Sequence, residues 1–288
     1  SDESPQPRGK QIKTPHGIWY TPVTGIWQTV WLENVPSTYI AATAQTPDID
    51  KQSLSVKVDI ENLQPGDVVK VTAYDGQQQV GEQIVKDKEE VALTIINPKL
   101  WSPANPFLYD LKYTVTRKGK VIDEAGSYFA MRKISEAPDN NGIQRMLLNN
   151  EFVFQYGPLD QGWWPDGLYT APTDEALKYD VEQTKAMGFN MIRKHVKVEP
   201  ARWYYHCDKL GMLVWQDMPS GDMGGNKWDM RVGQISGKNL DKERSAESEA
   251  IYRTEWKAIM NALHNFPSIV VWVPFNEAWG QFKTKEIT

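Results

Sequence analysis

An apolar run from Ser268 to Phe275 ends in Asn276-Glu277, and here residue types and spacing point most directly to chemistry. A carboxyl at the tip of an apolar strand is held by the strand and open at its end. It can pass a proton to or from a bound substrate, which is worth roughly 10²–10⁴ in rate. The amide of Asn276 beside it can both donate and accept a hydrogen bond. Arg193 and His195, in Ile192-Arg-Lys-His-Val-Lys-Val-Glu-Pro, stand two apart and share a face if the segment is a strand. They could contact substrate or a carboxylate, or form a structural ion pair. Asp217, in Trp215-Gln-Asp-Met-Pro, is a site carboxylate or a loop cap. Asp160, Trp163 and Trp164 fall together in Leu159-Asp-Gln-Gly-Trp-Trp-Pro-Asp-Gly, and Trp279 follows Glu277 by two. The indoles could stack on a ligand ring or pack their own loops.

The remaining composition narrows the partners. The net charge of −5 is spread without a Lys/Arg block, which argues against nucleic acid. No apolar run approaches the roughly 20 residues that cross a bilayer, so a membrane is not expected. His16, His195, His206 and His264 are scattered with no His-x₃-His pair, so no metal is expected. With neither a Gly-x-Gly-x-x-Gly nor a phosphate loop, no cofactor is called for. Cys207 is the one cysteine, and it reads as packing. Twelve tryptophans suit a carbohydrate cleft.

The elements that must position these residues divide into three stretches. Residues 1–36 hold two apolar segments, His16 to Tyr20 and Gly25 to Glu33, which read as strands with nothing to pack on. Residues 37–135 carry period-two alternation: Leu54, Val56, Val58 and Ile60, then Val91, Leu93 and Ile95, with turns at Gln64-Pro-Gly-Asp, Asp75-Gly and Lys118-Gly. About seven short strands in 100 residues predict an immunoglobulin-like β-sandwich. Residues 136–288 alternate strand and helix, which predicts a parallel sheet with helical crossovers. Phe152 to Tyr156 is an apolar stretch. A helix runs from Thr173 to Gly188, a strand from Phe189 to Val196, a helix to Leu210 and a strand from Met212 to Gln216. A Gly-rich loop, Asp222 to Gly237, leads to a helix from Arg244 to His264 and the strand at 267–275. Four β/α units amount to half of a (β/α)₈ TIM barrel, since eight need roughly 250 residues. Strand 268–275 would then be an open edge, able to recruit a second copy of the chain.

Asn265-Phe-Pro-Ser-Ile-Val-Val-Trp-Val-Pro-Phe-Asn-Glu-Ala-Trp-Gly resembles the Asn-His-Pro-Ser-Ile…Trp…Asn-Glu signature of family-2 glycoside hydrolases, the β-galactosidase, β-glucuronidase and β-mannosidase group. Gly25-Ile-Trp-Gln-Thr-Val-Trp-Leu-Glu is similar to the closing strands of that family's jelly roll. Leu100-Trp-Ser-Pro-Ala-Asn-Pro-Phe-Leu-Tyr-Asp-Leu, Phe129-Ala-Met-Arg-Lys-Ile and Leu148-Asn-Asn-Glu-Phe-Val-Phe are similar to its passage from sandwich to barrel. The resemblance implies a retaining hydrolase of β-glycosides, a β-galactoside first, with Glu277 as acid/base and Asn276 contacting the nucleophile and the sugar 2-hydroxyl. It also implies that the nucleophilic Glu belongs to strand seven, outside this chain, so the chain alone should not turn over. The pattern departs where His195 stands one place closer to Arg193 than usual, and where Phe266 replaces the usual His before Pro267. A non-catalytic module that binds carbohydrate or a partner is the rival reading.

Overall fold

The computed structural model describes residues 5–220, 241, 243–277 and 280–288. The Gly-rich loop at Asp222 to Gly237 and Trp279 lie outside the described residues.

Seven antiparallel strands follow residue 38. Strands β1 (Tyr39–Asp48), β2 (Ser53–Glu61) and β5 (Glu90–Thr94) form one sheet in the order β1-β2-β5. Strands β3 (Asp67–Asp75), β4 (Gln78–Val85), β6 (Tyr109–Arg117) and β7 (Lys120–Phe129) form the other, in the order β4-β3-β6-β7. The alternation in β2 does what its period requires: Leu54, Val56, Val58 and Ile60 are buried against Val69 and Val71 of β3 and Leu111, Tyr113 and Val115 of β6. Each such side chain contributes roughly 1.5–3 kcal/mol. Lys118 and Gly119 both take positive φ between β6 and β7, the geometry that matches a two-residue reversal to strand twist.

A short antiparallel sheet of β8 (Ile134–Pro138), β9 (Gln144–Leu148) and β10 (Glu151–Phe152), in the order β10-β9-β8, leads to four parallel strands. These are β11 (Leu159–Asp160), β12 (Met191–Lys194), β13 (Leu213–Asp217) and β14 (Ile269–Val273), adjacent in sequence order. The expected helices connect them. Helix α1 (Asp174–Ala186) is capped by Thr173, whose hydroxyl accepts from the Ala176 amide, and α3 (Ala246–Leu263) by Ser245 in the same way. Helix α2 (Ala201–Leu210) ends on Gly211 in the left-handed region at φ 71°. Trp203, Tyr204 and Cys207 of α2 pack on Leu177, Val181, Ile192 and Val214, so the cysteine is a buried packing residue. The apolar stretch at Phe152 to Tyr156 is not core: Phe154 and Tyr156 are exposed.

The two regions are joined by polar contacts, the innermost of them buried. Trp101 is fully buried and donates its indole N–H to the Asp208 carbonyl at 2.9 Å. The Asp208 carboxylate accepts from Tyr128 Oη at 2.7 Å and from the Ser268 amide at 2.8 Å. Arg132 donates to the carbonyls of Pro267 and Ile269, each at 3.0 Å. Asn265 pairs with the backbone of β1 through Gln45 N (2.9 Å) and Thr43 O (2.8 Å), and His264, at the end of α3, meets Thr46 at 3.0 Å. The first half of the Asn265-Phe-Pro-Ser motif is thus a joint holding β14 against the sandwich.

The strands expected within residues 1–36 do not form. Among the described residues this segment holds one isolated bridge, Gln11 to Tyr20, and Ile26, Val30, Trp31 and Leu32 are exposed. Apolar composition permits a strand, but a ladder also needs a paired neighbour for its N–H and C=O groups, and none lies alongside. The segment runs instead along the parallel sheet and its loops, with Trp27 edge-on to Tyr169 and Gln28 reaching the Val198 carbonyl.

Candidate active site

The carboxyl ends of β12, β13 and β14 bring four of the expected residues together. Arg193 and His195, two apart as the alternation requires, both reach Asp217 on the neighbouring strand. Arg193 Nε and Nη2 donate to the two Asp217 oxygens at 2.9 and 3.0 Å, a fork that fixes both groups in one plane. His195 Nδ1 meets Asp217 Oδ2 at 2.8 Å, and the Val196 amide donates to the same oxygen at 3.3 Å. Asp217 is a β13 residue with its side chain 1% exposed, so it is a buried partner of the cluster and not a loop cap. Arg193 Nη2 also donates to Asn276 Oδ1 at 2.9 Å. That bond assigns the amide: its oxygen is taken by the guanidinium, and its Nδ2 remains as the donor. Glu277 follows with its side chain exposed.

Two backbone conformations mark the same edge. Val196 has φ 48° and Glu277 has φ 48°. A side chain in the left-handed region costs roughly 1–2 kcal/mol, and a β-branched one is an outlier there. Strain of this kind persists where surrounding contacts over-determine it, and it gathers at functional sites. The Val196 amide held on Asp217 is one such contact.

Asp160, Trp163 and Trp164 form a separate group. Asp160 receives Lys194 Nζ at 2.6 Å and the Gly162 amide at 2.8 Å. Burial pushes its carboxyl up, but the Lys194 ammonium and these hydrogen bonds outweigh burial and hold it below the usual range. Trp163 stacks on Tyr20 at 4.3 Å, so one of its faces is covered. Trp164 is half-buried against the core around α1 and α2. A cavity of about 570 Å³ opens between this loop and α1, lined by Asp160, Trp163, Trp164, Tyr179 and Asp180. None of Arg193, Asp217, Asn276 and Glu277 lines it.

Sequence reasoning missed the ionic footing beneath these loops. Lys194 is 1% exposed and bridges Asp160 to Glu199, the latter at 2.9 Å. Burial would push its ammonium down, but the two carboxylates hold it up. Lys197, equally buried, meets Glu199 at 3.0 Å and donates to the carbonyls of Gly162 and Tyr169. Charged residues at 194, 197 and 199 around an apolar strand end were the available signal. Lys10 was also missed: the segment before β1 carries its backbone to the carboxyl ends of β12 and β13, and burial pushes its ammonium down against the opposing effect of the Glu277 carboxylate.

A β-sandwich joined to a parallel α/β sheet, with a guanidinium, carboxylate and amide gathered at the strands' carboxyl ends, defines a multidomain protein with its candidate site on the α/β side. Residues 38–132 match the family profile of Glycosyl hydrolases family 2. A putative beta-glucuronidase of Formosa agariphila is 29% identical over 266 residues, covering 88% of this chain and 29% of that protein. A beta-galactosidase of Lactococcus lactis subsp. lactis is 24% identical, covering 89% of this chain and 24% of that one. A solved family-2 glycosyl hydrolase from Bacteroides cellulosilyticus superposes with TM-score 0.70 at 24% identity, over 88% of this chain and 32% of that one, a likeness of fold. Residues 38–132 thus carry the profile of glycosyl hydrolase family 2, the chain is similar to family members along most of its length, and it spans about a quarter to a third of the length of these relatives.

Proposed function

We propose that the protein hydrolyses β-glycosides with retention at the anomeric carbon, and that Glu277 is its acid/base. The observation that supports this best is the convergence of Arg193, Asp217 and Asn276 beside Glu277 at the ends of parallel strands. In this reading the four parallel strands are the first half of a (β/α)₈ barrel, whose active face lies at those ends. Residues 136–288 belong to the barrel, 37–135 to the sandwich and 1–36 to the end of a jelly roll. The opposing carboxylate, about 5–5.5 Å from the acid/base when configuration is retained, comes from barrel strands outside these residues.

The chemistry runs in two steps. The opposing carboxylate attacks the anomeric carbon while Glu277 gives its proton to the departing glycosidic oxygen, and a glycosyl ester forms. Glu277, now a carboxylate, takes a proton from water as that water displaces the ester. Asn276 offers Nδ2 to the sugar 2-hydroxyl because Arg193 occupies its Oδ1. The names of the relatives support a β-glucuronide, a β-galactoside or a β-mannoside, and the β-galactoside that the sequence resemblance implies first is one of these three.

The test is turnover of aryl β-glucuronides, β-galactosides and β-mannosides by the whole gene product beside its Glu277→Ala variant. Recovery of the variant by azide, with a glycosyl azide as product, supports the assignment. Full activity in the variant removes it.

A further inference from the structure

The outer face of the sandwich meets helix α2 along a groove of about 740 Å³, within the roughly 300–1,000 Å³ of ligand pockets. Its floor follows from the two-residue period of β6 and β7. Leu111 and Tyr113 of β6 are buried in the sandwich core, so Asp110 and Lys112 face outward, and their register partners on β7 are Tyr128 and Gly126. Tyr205 and Lys209 of α2 form the facing wall. Tyr128 donates its hydroxyl to the Asp208 carboxylate at 2.7 Å, which fixes its ring, and Tyr205 meets that ring at 5.3 Å with the planes 60° apart. The two tyrosines thus make an aromatic corner that is set before anything binds.

Gly126 is the residue of this floor that the fold alone does not call for. A glycine inside a strand weakens it, and marks a bulge, a bend or a place where a ligand or another backbone comes close. The one register shift between β6 and β7 lies at Val115/Thr116, away from Gly126, whose φ is outside the left-handed region. A Cβ at this position would meet nothing within 4 Å among the described residues. What the missing side chain provides is open depth beside Lys112 and Tyr128. We infer that this groove binds a neutral sugar ring of a polysaccharide, at a site separate from the cluster beside Glu277. None of Arg193, Asp217, Asn276 and Glu277 lines it, and the inference does not depend on the role of Glu277. A pyranose has an apolar C–H face for the tyrosine corner, and hydroxyls that both donate and accept. The rim offers both kinds of partner, since Asp110 and Glu124 accept while Lys112 and Lys209 donate. Two carboxylates stand against two ammoniums, with Lys112 and Glu124 paired at 2.6 Å, so the rim carries no net charge to select an anionic ring. A protein partner fits less well, because the centres of protein interfaces are depleted in Lys, Asp and Glu.

The experiment uses the whole gene product as wild type, Gly126→Trp and Tyr205→Ala. Gly126→Trp fills the groove from a position whose Cβ has room, and Tyr205→Ala removes one side of the aromatic corner without touching the floor. Circular dichroism shows that each variant folds. The probes are soluble β-glucan, galactan, galactomannan and arabinoxylan, with polygalacturonate as the anionic control, each cast into native gels where binding is read as retardation. The expected result is retardation of the wild type by at least one neutral polymer. The Kd for that polymer should rise roughly tenfold or more in both variants, the loss of one aromatic contact with a ring. Turnover of a single-ring p-nitrophenyl glycoside should stay within about twofold of wild type, since it needs only the candidate active site. The inference is overturned if no neutral polymer retards the wild type, if polygalacturonate alone does, or if both variants are retarded as the wild type is. It is also overturned if the wild type self-associates and Gly126→Trp does not, which makes the groove a contact between copies of the protein. Full turnover in Glu277→Gln removes the acid/base reading and leaves the retardation result standing by itself.

Discussion

Arg193 Nη2 donates to Asn276 Oδ1 at 2.9 Å, across the intervening strand β13, while its fork holds Asp217 on that strand. One guanidinium thus sets the register of the residue next to Glu277. It also sets which end of the Asn276 amide faces outward.

Replacing Arg193 with Lys should therefore uncouple this arrangement while keeping the charge. A lysine cannot reach both Asp217 oxygens and Asn276 from one planar group. Loss of one charge-assisted bond, about 1.5–3 kcal/mol, predicts a fall in kcat/KM of roughly tenfold to a hundredfold. Steady-state kinetics of the gene product on its best aryl glycoside checks this, with circular dichroism to show that the fold persists.

Glu277 trades stability for position. Its φ of 48° is tolerated better by Asn than by Glu, and its side chain is exposed. Glu277→Asn should abolish acid/base function yet raise the stability of the chain by roughly half a kcal/mol or more. The urea midpoint is the measurement, and a lowered midpoint would deny the strain.

Lys194 should be far less replaceable than its place on a strand suggests. It lies between Asp160 and Glu199, with side chains 1% and 2% exposed for Lys194 and Glu199. Lys194→Met leaves those carboxylates without their shared cation, and breaking such a pair costs about 3–5 kcal/mol. Denaturant unfolding of the variant should show a loss of this size.

A pH dependence follows from Asp208. Burial pushes its carboxyl from 3.8 up to about 7, with the Ser268 and Tyr128 hydrogen bonds and Arg132 opposing. Because the folded value lies above the ordinary one, the folded state binds the proton more tightly. The stability this provides is fully present below about pH 4 and is lost as pH rises to about 7. Asp208→Asn mimics the protonated group. The difference in Tm between variant and wild type should grow in the variant's favour across this window and then level off, which thermal scans from pH 4 to 8 would reveal.

What could be read from the sequence was whatever local spacing determines. The alternation at 54, 56, 58 and 60 places a strand because period two is enough to define a buried face. The same rule put Arg193 and His195 on one face, where Asp217 meets both. It failed at 16–33, where apolar residues are present but no neighbouring strand completes a ladder. It was silent on Lys194, Lys197 and Lys10, because a lysine reads as solvated until tertiary structure buries it. It was silent too on the role of Asn265, whose partners lie about 220 residues earlier in β1. Only the folded chain brings that pair together.

The central claim is that Glu277 donates the proton to the leaving oxygen, and leaving-group dependence tests it most directly. The gene product and its Glu277→Gln variant would be compared on two aryl glycosides of the preferred sugar, one with a dinitrophenolate leaving group and one with phenolate. A dinitrophenolate departs without protonation, so the account predicts that glycosyl-enzyme formation stays near wild type for it. For the phenyl glycoside it predicts a fall of roughly 10²–10⁴. Equal losses on both substrates, or none on the phenyl glycoside, would contradict the assignment.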